Sequence, residues 1–114
     1  MYNKGKIVLT PFPFTDLSSL KVRPALIVSS NKVRGDDVTV VFISSVKQKR
    51  IQALDIKIKT SDNNFNKTGL KGDSIVKVNK IATLDKKIVL GELGEIGLEL
   101  KKELDKKLKS LFEL

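Results

Sequence analysis

The 114-residue chain contains no cysteine and no histidine. Without cysteine there is no disulfide framework, no thiolate metal site and no thiol nucleophile, which fits a reducing compartment such as the cytoplasm. Without histidine, the serine–histidine and cysteine–histidine nucleophile systems are excluded. No stretch approaches the roughly 18 apolar residues that a membrane-spanning helix needs, and the N-terminus lacks the apolar core of a signal peptide. Secretion and membrane insertion are therefore not expected.

Positive charge is present in excess, because 22 Lys and Arg residues against 13 Asp and Glu residues give a formal net charge of +9. Basic side chains that meet phosphates release condensed counterions, so this charge favours a polyanionic partner. In the alternative interpretation, many of the lysines only keep the protein soluble. With 40% hydrophobic residues and no low-complexity stretch, residues 1–114 are predicted to form a single compact domain.

Short β-type runs separated by turn-forming residues fill the first three quarters of the chain. The predicted strands lie near residues 6–10, 23–29, 38–44, 52–59 and 74–78, with a further extended piece at 81–84. Residues 31–36 favour a hairpin turn and residues 61–64 favour a loop. The expected result is a twisted antiparallel sheet.

An amphipathic helix is predicted at the C-terminus. Apolar residues recur at steps of four, four, four and three along one helix face, namely Ile96, Leu100, Leu104, Leu108 and Leu111. Five lysines fall mainly on the other side, where a solvated face is favoured over a nucleic-acid site: Lys101, Lys102, Lys106, Lys107 and Lys109. Short strands covered by one such helix predict a small, strongly curved, barrel-like α+β domain.

Residues 11–31, PFPFTDLSSLKVRPALIVSSN, combine strand-breaking and strand-forming positions. Pro11 and Pro13 are two residues apart, so their missing amide donors face one side of an extended chain, and that edge cannot be paired there. Phe12 and Phe14 share a face, where they pack in the core or stack on unpaired bases. Core packing is favoured for at least one of the two rings.

A polar stretch at residues 15–19 leads to Lys21, Arg23 and Pro24, directly before an apolar strand. Arg23 is therefore predicted to lie at the mouth of a strand beside a loop. Its rigid fork of donors suits phosphate oxygens better than a lysine ammonium does. The structural alternative is an ion pair between Arg23 and Asp16, and the two interpretations are compatible.

Three blocks of sequence resemble the MazF/PemK toxins. They are GKIVLTPFPFTD at residues 5–16 with KVRPALIVS at 21–29, VVFISS at 40–45, and DSIVKVNKIATLDK at 73–86. The resemblance implies a mostly-β α+β fold, a small SH3-like barrel of twisted antiparallel strands with a C-terminal amphipathic helix. It further implies a homodimer, the toxin of a type II toxin–antitoxin system, that cleaves single-stranded RNA without metal or cofactor and is neutralised by a cognate antitoxin protein.

Metal-free RNA cleavage uses the 2′-hydroxyl of the substrate as nucleophile, so the protein supplies a proton acceptor, a proton donor and charge stabilisation. Because histidine is absent, the two-histidine and carboxylate–histidine arrangements of other ribonucleases are excluded. The family pairs an arginine before the proline with a threonine at the end of the third strand. The matching catalytic residues here are Arg23 and Ser44, with Ser45 in reserve because adjacent strand residues point to opposite faces.

Supporting residues follow from the same resemblance. Some members carry a basic residue and a carboxylate two apart where this chain has Lys77 and Asn79, but asparagine accepts no proton at neutral pH. Asp16 is the alternative carboxylate, and the general base is left open. The candidate RNA-binding residues lie in the loop after the first strand and in the basic cluster after Ser44, namely Thr15, Lys21, Lys47, Lys49 and Arg50.

No metal site is expected. Asp36 and Asp37 are adjacent and lack the spaced, converging ligands of a magnesium site, so a turn with surface charge is favoured. Residues 69–73 are likewise predicted to be a turn before a strand, without phosphate-loop spacing. Two other functions are considered: a barrel that binds nucleic acid or an antitoxin without cutting, suggested by Ser44 and Asn79, and a toxin of similar fold that poisons a topoisomerase.

Overall fold

The computed structural model describes residues 2–12, 21–33, 35–45 and 50–114. These residues form six strands and one α-helix: β1 (Lys6–Pro11), β2 (Val22–Ile27), β3 (Asp37–Ser45), β4 (Asp55–Ile58), β5 (Ser74–Asp85), β6 (Gly91–Glu95) and α1 (Leu98–Phe112). Two 3₁₀ turns lie at Phe65–Thr68 and Lys86–Ile88. The predicted fold class is confirmed, because the antiparallel strands form a mostly-β half-barrel that is followed by a single C-terminal helix.

All strand pairs of the half-barrel are antiparallel, in the order β4-β5-β3-β2-β1-β6. Because side chains alternate along a strand, this register divides the apolar residues between the two faces of the sheet. Ile7, Leu26 and Val41 lie opposite one another and belong to a core cluster that α1 covers. Their neighbours Val8 and Ala25 belong to a second cluster on the other face.

Helix α1 packs on the first cluster through the predicted apolar face. Leu104 is fully buried there, and Leu100, Leu108 and Leu111 pack against the same cluster. The prediction was wrong for Ile96, which lies before the helix and is buried in the segment between β6 and α1. Gly97 is the N-cap residue, and because glycine has no side chain it provides no side-chain cap.

The predicted solvated lysine face of α1 is confirmed only in part. Lys102, Lys106 and Lys109 are exposed, whereas Lys101 and Lys107 are half-buried. The Lys107 ammonium donates to the carbonyl of Ala53, which ties the helix to the segment before β4.

Strand β6 was missed by the sequence patterns. It pairs with β1 through Lys6↔Glu95 and Leu9↔Gly91, with a bulge between. A Cβ atom at Gly94 would lie 2.1 Å from the carbonyl oxygen of Lys67, so glycine is needed where the first 3₁₀ turn packs on the strand. At this pairing the Lys6 ammonium donates to the carboxylates of Glu92 and Glu95, and these contacts raise the pKa of Lys6.

The two extended pieces predicted at 74–78 and 81–84 are one strand, β5, interrupted by a bulge. Phe42 of β3 pairs with Lys77 and Val41 pairs with Ile81, so residues 78–80 are inserted into the ladder. Such a bulge increases the local twist and helps the sheet to curve.

Pro11 is accommodated at the end of β1, opposite Val22. The amide of Phe12 donates to the carbonyl of Lys21, so the nitrogen of Pro11 faces the other side of the strand. The pairing of β1 with β6 has already stopped at Leu9 on that side. The expected unpaired edge at Pro11 is therefore observed, while Pro13 and Phe14 lie outside the described residues.

Candidate active site

The candidate site begins where the hairpin of β1 and β2 leaves the sheet. Arg23 lies opposite Thr10, and the next hydrogen bond joins the Phe12 amide to the Lys21 carbonyl at 2.8 Å. Thr10 is fully buried, with its hydroxyl donating to the carbonyl of Pro11. This ordered strand end fixes the backbone from which Arg23, half-buried, extends.

Two aromatic rings form a platform beside Arg23. The centroids of Phe12 and Phe42 are 5.0 Å apart with an interplanar angle of 78°, an edge-to-face pair. The guanidinium carbon Cζ of Arg23 lies 5.9 Å from the centroid of Phe12. Phe12 is thus a core-packing ring, as expected for at least one of the two phenylalanines, and it also supports the arginine through a cation–π contact.

Ser44 reaches the same face of the sheet as Arg23. Strands β2 and β3 pair through Ala25↔Phe42, and continuing this register by two residues places Arg23 opposite Ser44. Residues opposite each other in antiparallel strands project from the same face. Ser44 is half-buried, whereas Ser45 is exposed, pairs with Ser74 and points to the other face. Arg23 and Ser44 therefore share one face of the sheet, and Ser45 lies on the other.

Lys77 lies on the other side of β3, opposite Phe42. Its ammonium is 2.9 Å from Oδ1 and 3.0 Å from Oδ2 of Asp55, which is its opposite residue in β4. The Asp55 side chain is 1% exposed, and its Oδ2 also accepts the amide of Gln52 at 2.8 Å. Asn79 is exposed and lies in the β5 bulge, apart from this pair.

Asp55 is the residue of this face that the sequence patterns missed. Along β4, Ile56 and Ile58 project from one face, and Asp55 projects from the other face together with the exposed Lys57. In the sequence, Asp55 therefore resembles a surface carboxylate. Only the pairing of β4 with β5, between residues 22 positions apart, reveals its partner. The one available signal was its opposite charge to Lys77 in a neighbouring predicted strand.

The remaining predicted site residues divide into two groups. Lys21 and Arg50 are exposed, at the start of β2 and shortly before β4. Thr15, Asp16, Lys47 and Lys49 lie outside the described residues. Within the described ranges, no carboxylate forms an ion pair with Arg23.

A groove of about 1170 Å³ lies away from this cluster, between β4, the first 3₁₀ turn and the start of α1. Its walls combine Lys57, Lys59 and Lys102 with Asp62 and Glu103, so neither sign of charge dominates. None of Arg23, Ser44 and Lys77 lines it. These predicted site residues therefore lie outside this groove.

The described residues contain neither a group of metal-ligating side chains nor a membrane-spanning helix. In that part of the chain, no three or more of His, Cys, Asp and Glu are grouped so that they could hold a metal ion. Asp36 and Asp37 lie at the end of the β2–β3 turn and the start of β3, both exposed. No helix there is long and apolar enough to cross a membrane.

Solved structures share this fold over nearly the whole chain. An endoribonuclease in complex with its cognate antitoxin, from a mycobacterial species, is 24% identical with a TM-score of 0.74, covering 98% of this chain and 95% of that chain. The Mycobacterium tuberculosis toxin MazF-mt6 is 20% identical with a TM-score of 0.74, covering 96% and 97%. MazF of a MazE–MazF complex from Deinococcus radiodurans is 20% identical with a TM-score of 0.73, covering 98% and 96%.

A family described as the PemK-like, MazF-like toxin of type II toxin–antitoxin systems matches residues 3–112. The comparison with curated proteins found no match. The family match covers all three sequence blocks that carried the resemblance, and so it confirms that resemblance. The chain therefore belongs to the PemK-like, MazF-like family of type II toxin–antitoxin toxins.

Proposed function

We propose that this toxin is a metal-independent endoribonuclease that cleaves single-stranded RNA and thereby inhibits translation and growth. The observation that carries the proposal is that Arg23, Ser44 and the half-buried ring of Phe12 lie on one face of the sheet. A guanidinium binds phosphate oxygens, a hydroxyl positions them, and aromatic rings stack on unpaired bases. Similar structures described as endoribonucleases support the same activity.

In the proposed reaction the 2′-oxygen of the RNA attacks the adjacent phosphorus and the bond to the 5′-oxygen breaks. The 2′-hydroxyl loses its proton, and the departing 5′-oxygen gains one. The products are a 2′,3′-cyclic phosphate and a 5′-hydroxyl end. Arg23 stabilises the charge on the pentacoordinate phosphate and donates a proton to the leaving oxygen, while Ser44 positions the phosphate.

Neither the Asn79 carboxamide nor the Asp55 carboxylate serves as the proton acceptor. Asn79 accepts no proton at neutral pH and lies in the bulge. Asp55 is buried, and both of its oxygens are engaged by Lys77 and Gln52. The acceptor therefore comes from elsewhere, and Asp16 of the β1–β2 loop is the candidate that the sequence offers.

The direct test incubates purified protein with a long single-stranded RNA in EDTA and identifies the ends of the fragments. Fragments with cyclic phosphate and 5′-hydroxyl ends are expected, and the same preparation of Arg23→Ala should yield few, which excludes a contaminating nuclease. Intact RNA that still shifts in a gel would overturn cleavage in favour of a binding barrel, the alternative suggested by Ser44 and Asn79. Absence of both cleavage and binding would favour the topoisomerase poison.

We further propose that the toxin acts in the cytoplasm as a homodimer and that a cognate antitoxin protein neutralises it. Solved relatives described as MazE–MazF complexes support the antitoxin partner. Co-expression with a small protein encoded by a neighbouring upstream frame should yield a stable complex without RNA cleavage. Sedimentation of the isolated toxin should give the mass of two chains, and a single-chain mass at micromolar concentration would contradict the dimer.

A further inference from the structure

The pair formed by Asp55 and Lys77 joins two strands at the edge of the candidate site. The Asp55 carboxylate is 1% exposed and the Lys77 side chain is 22% exposed, so the carboxylate lies beneath the ammonium. Burying a carboxylate without partners is costly, and Asp55 is satisfied by Lys77 and by the amide of Gln52. The ion pair therefore holds the Lys77 ammonium in one position, whereas the ammonium of an unpaired lysine would move with its side chain.

The tether holds Lys77 on the β4 side of its strand. Asp55 lies opposite Lys77 in β4, whereas Phe42, Ser44 and Arg23 lie in the direction of β3 and β2. Lys77 is two strands from Arg23 and two residues along, which places their Cα atoms roughly 12 Å apart. The ammonium is thus drawn away from the phosphate that Arg23 would bind.

A lysine ammonium has three donors and the two carboxylate oxygens occupy at most two of them, so the partly exposed Lys77 keeps a donor for a ligand. Phe42, opposite Lys77 in β3, is 2% exposed, and its ring packs edge-to-face with the half-buried ring of Phe12. Lys77 and Arg23 are thus two cations on one face of the sheet, as in a basic surface that follows the backbone of a single strand.

We propose that Asp55 is a positioning residue, which holds Lys77 so that it binds a backbone phosphate flanking the one at Arg23. The RNA then crosses the strands from β2 towards β4. This inference rests on the proposed function, and it assigns Lys77 to binding of the substrate and not to the chemical step. Asp55 acts through Lys77 and touches no RNA.

The test measures binding separately from cleavage. The binding probe is a fluorescein-labelled 2′-O-methyl RNA pool of random sequence, which has no 2′-hydroxyl to attack. Lys77→Met should raise the Kd for this pool about tenfold, as expected for loss of a charged hydrogen bond. It should also reduce the slope of log Kd against log salt concentration by about 0.7. Lys77→Arg should restore most of the affinity, since arginine can also pair with Asp55.

The Asp55→Asn variant tests the positioning role. Asparagine can still accept the Gln52 amide but no longer holds the ammonium by charge, so the Kd should rise about three- to tenfold. The KM for cleavable RNA should rise in proportion and kcat should stay within about twofold, because a flanking phosphate contact is made equally in ground and transition states. In a Lys77→Met background, Asp55→Asn should have no further effect on Kd.

The matched control is Lys106→Met, which removes the same charge from an exposed lysine of α1, the helix that packs on the opposite face. Its Kd should equal that of the wild type. Unchanged binding in Lys77→Met, or an undiminished effect of Asp55→Asn in the Lys77→Met background, would overturn the inference. If Asp55→Asn does not fold, the salt slope and kcat of Lys77→Met still decide whether Lys77 binds a flanking phosphate.

Failure of the proposed function gives a different result. Wild-type protein that binds the pool but leaves natural RNA intact in EDTA would overturn the proposed nuclease activity. The Lys77 and Asp55 variants would still test the phosphate contact. Wild-type protein that does not bind the pool would overturn both. Cleavage by the wild type with unaltered Kd in both variants would overturn only this inference.

Discussion

Arg23 owes its position to an aromatic ring and a strand end. Its backbone is paired with Thr10, its guanidinium lies 5.9 Å from the Phe12 centroid, and it is half-buried. A cation on a ring face keeps its in-plane donors available, whereas a carboxylate partner would occupy them. The contact with Phe12 therefore restrains the guanidinium in the folded chain, as the proposed stabilisation of a developing charge by Arg23 requires.

Replacing Arg23 by alanine is expected to lower the rate of RNA cleavage about 10²- to 10³-fold, the usual effect of losing one preorganised donor. Arg23→Lys should recover only part of the rate, because an ammonium lacks the planar fork. Initial rates on long single-stranded RNA in EDTA provide the measurement, and thermal unfolding verifies the fold. Wild-type cleavage by folded Arg23→Ala would refute the assignment.

The two adjacent serines offer a matched pair of variants. Ser44 shares the face of Arg23, and Ser45 projects from the opposite face at the end of β3. Ser44→Ala should lower kcat about three- to tenfold, the value of one neutral hydrogen bond, while Ser45→Ala should leave it within twofold. Equal effects of the two substitutions would show that Ser44 has no special role in the site.

The sequence predicts a site residue when the evidence for it lies within one short stretch of chain, and it fails when the evidence is a contact between distant strands. Arg23 and Ser44 lie in recognisable blocks, and the hydroxyl and guanidinium are visible without a structure. The face that they share needs the register of β2 against β3, which only the folded sheet supplies. Asp55 was not predicted, because its partner Lys77 is on another strand. In addition, Asp55 shares a face of β4 with an exposed residue.

At the scale of elements, α1 is fastened to the sheet by a narrow apolar stripe. Leu104 is fully buried in the cluster that contains Ile7 and Val41. Leu98, in the first turn of the same helix, is 67% exposed. The helix lacks a side-chain cap at Gly97, so its stability depends on packing more than on local signals.

Leu104→Ala is accordingly expected to lower the free energy of unfolding by about 2–5 kcal/mol, since it removes buried methyl groups and leaves a cavity. Leu98→Ala serves as the control on the same helix and should change stability by less than about 0.5 kcal/mol. Urea unfolding monitored by circular dichroism measures both. Similar losses in the two variants would mean that helix propensity, and not packing on the sheet, holds α1 in place.

Sequence patterns identified the elements with strong periodicity and missed those defined by packing. Strands rich in Val and Ile, and the leucine stripe of α1, were predicted because the sheet and helix periods are visible in them. Strand β6, GELGE, has no β-branched residue, and its Gly94 is needed only because a 3₁₀ turn packs on it. Ile96 continues the helical spacing although the helix starts two residues later.

At the scale of the whole molecule, the excess of positive charge is distributed over both faces of the sheet. Lys21 is exposed directly before β2, and Arg50 is exposed in the segment before β4. Lys102 and Lys106 are exposed on α1, which covers the other face. A net charge of +9 attracts any polyanion from a distance, but only charges that reach the bound phosphates release counterions on binding.

Two double variants separate long-range attraction by net charge from direct contact with phosphates. Each variant removes two positive charges, so both have the same net charge. Lys21→Met with Arg50→Met should weaken binding of single-stranded 2′-O-methyl RNA about tenfold or more, and should reduce its salt slope by about 1.4, corresponding to two lost phosphate contacts. Lys102→Met with Lys106→Met should leave the slope unchanged, since those lysines face away from the platform. Fluorescence anisotropy at several salt concentrations measures both quantities. An equal loss of affinity in the two variants would mean that net charge alone drives binding, and the RNA would then have no fixed path across the aromatic face.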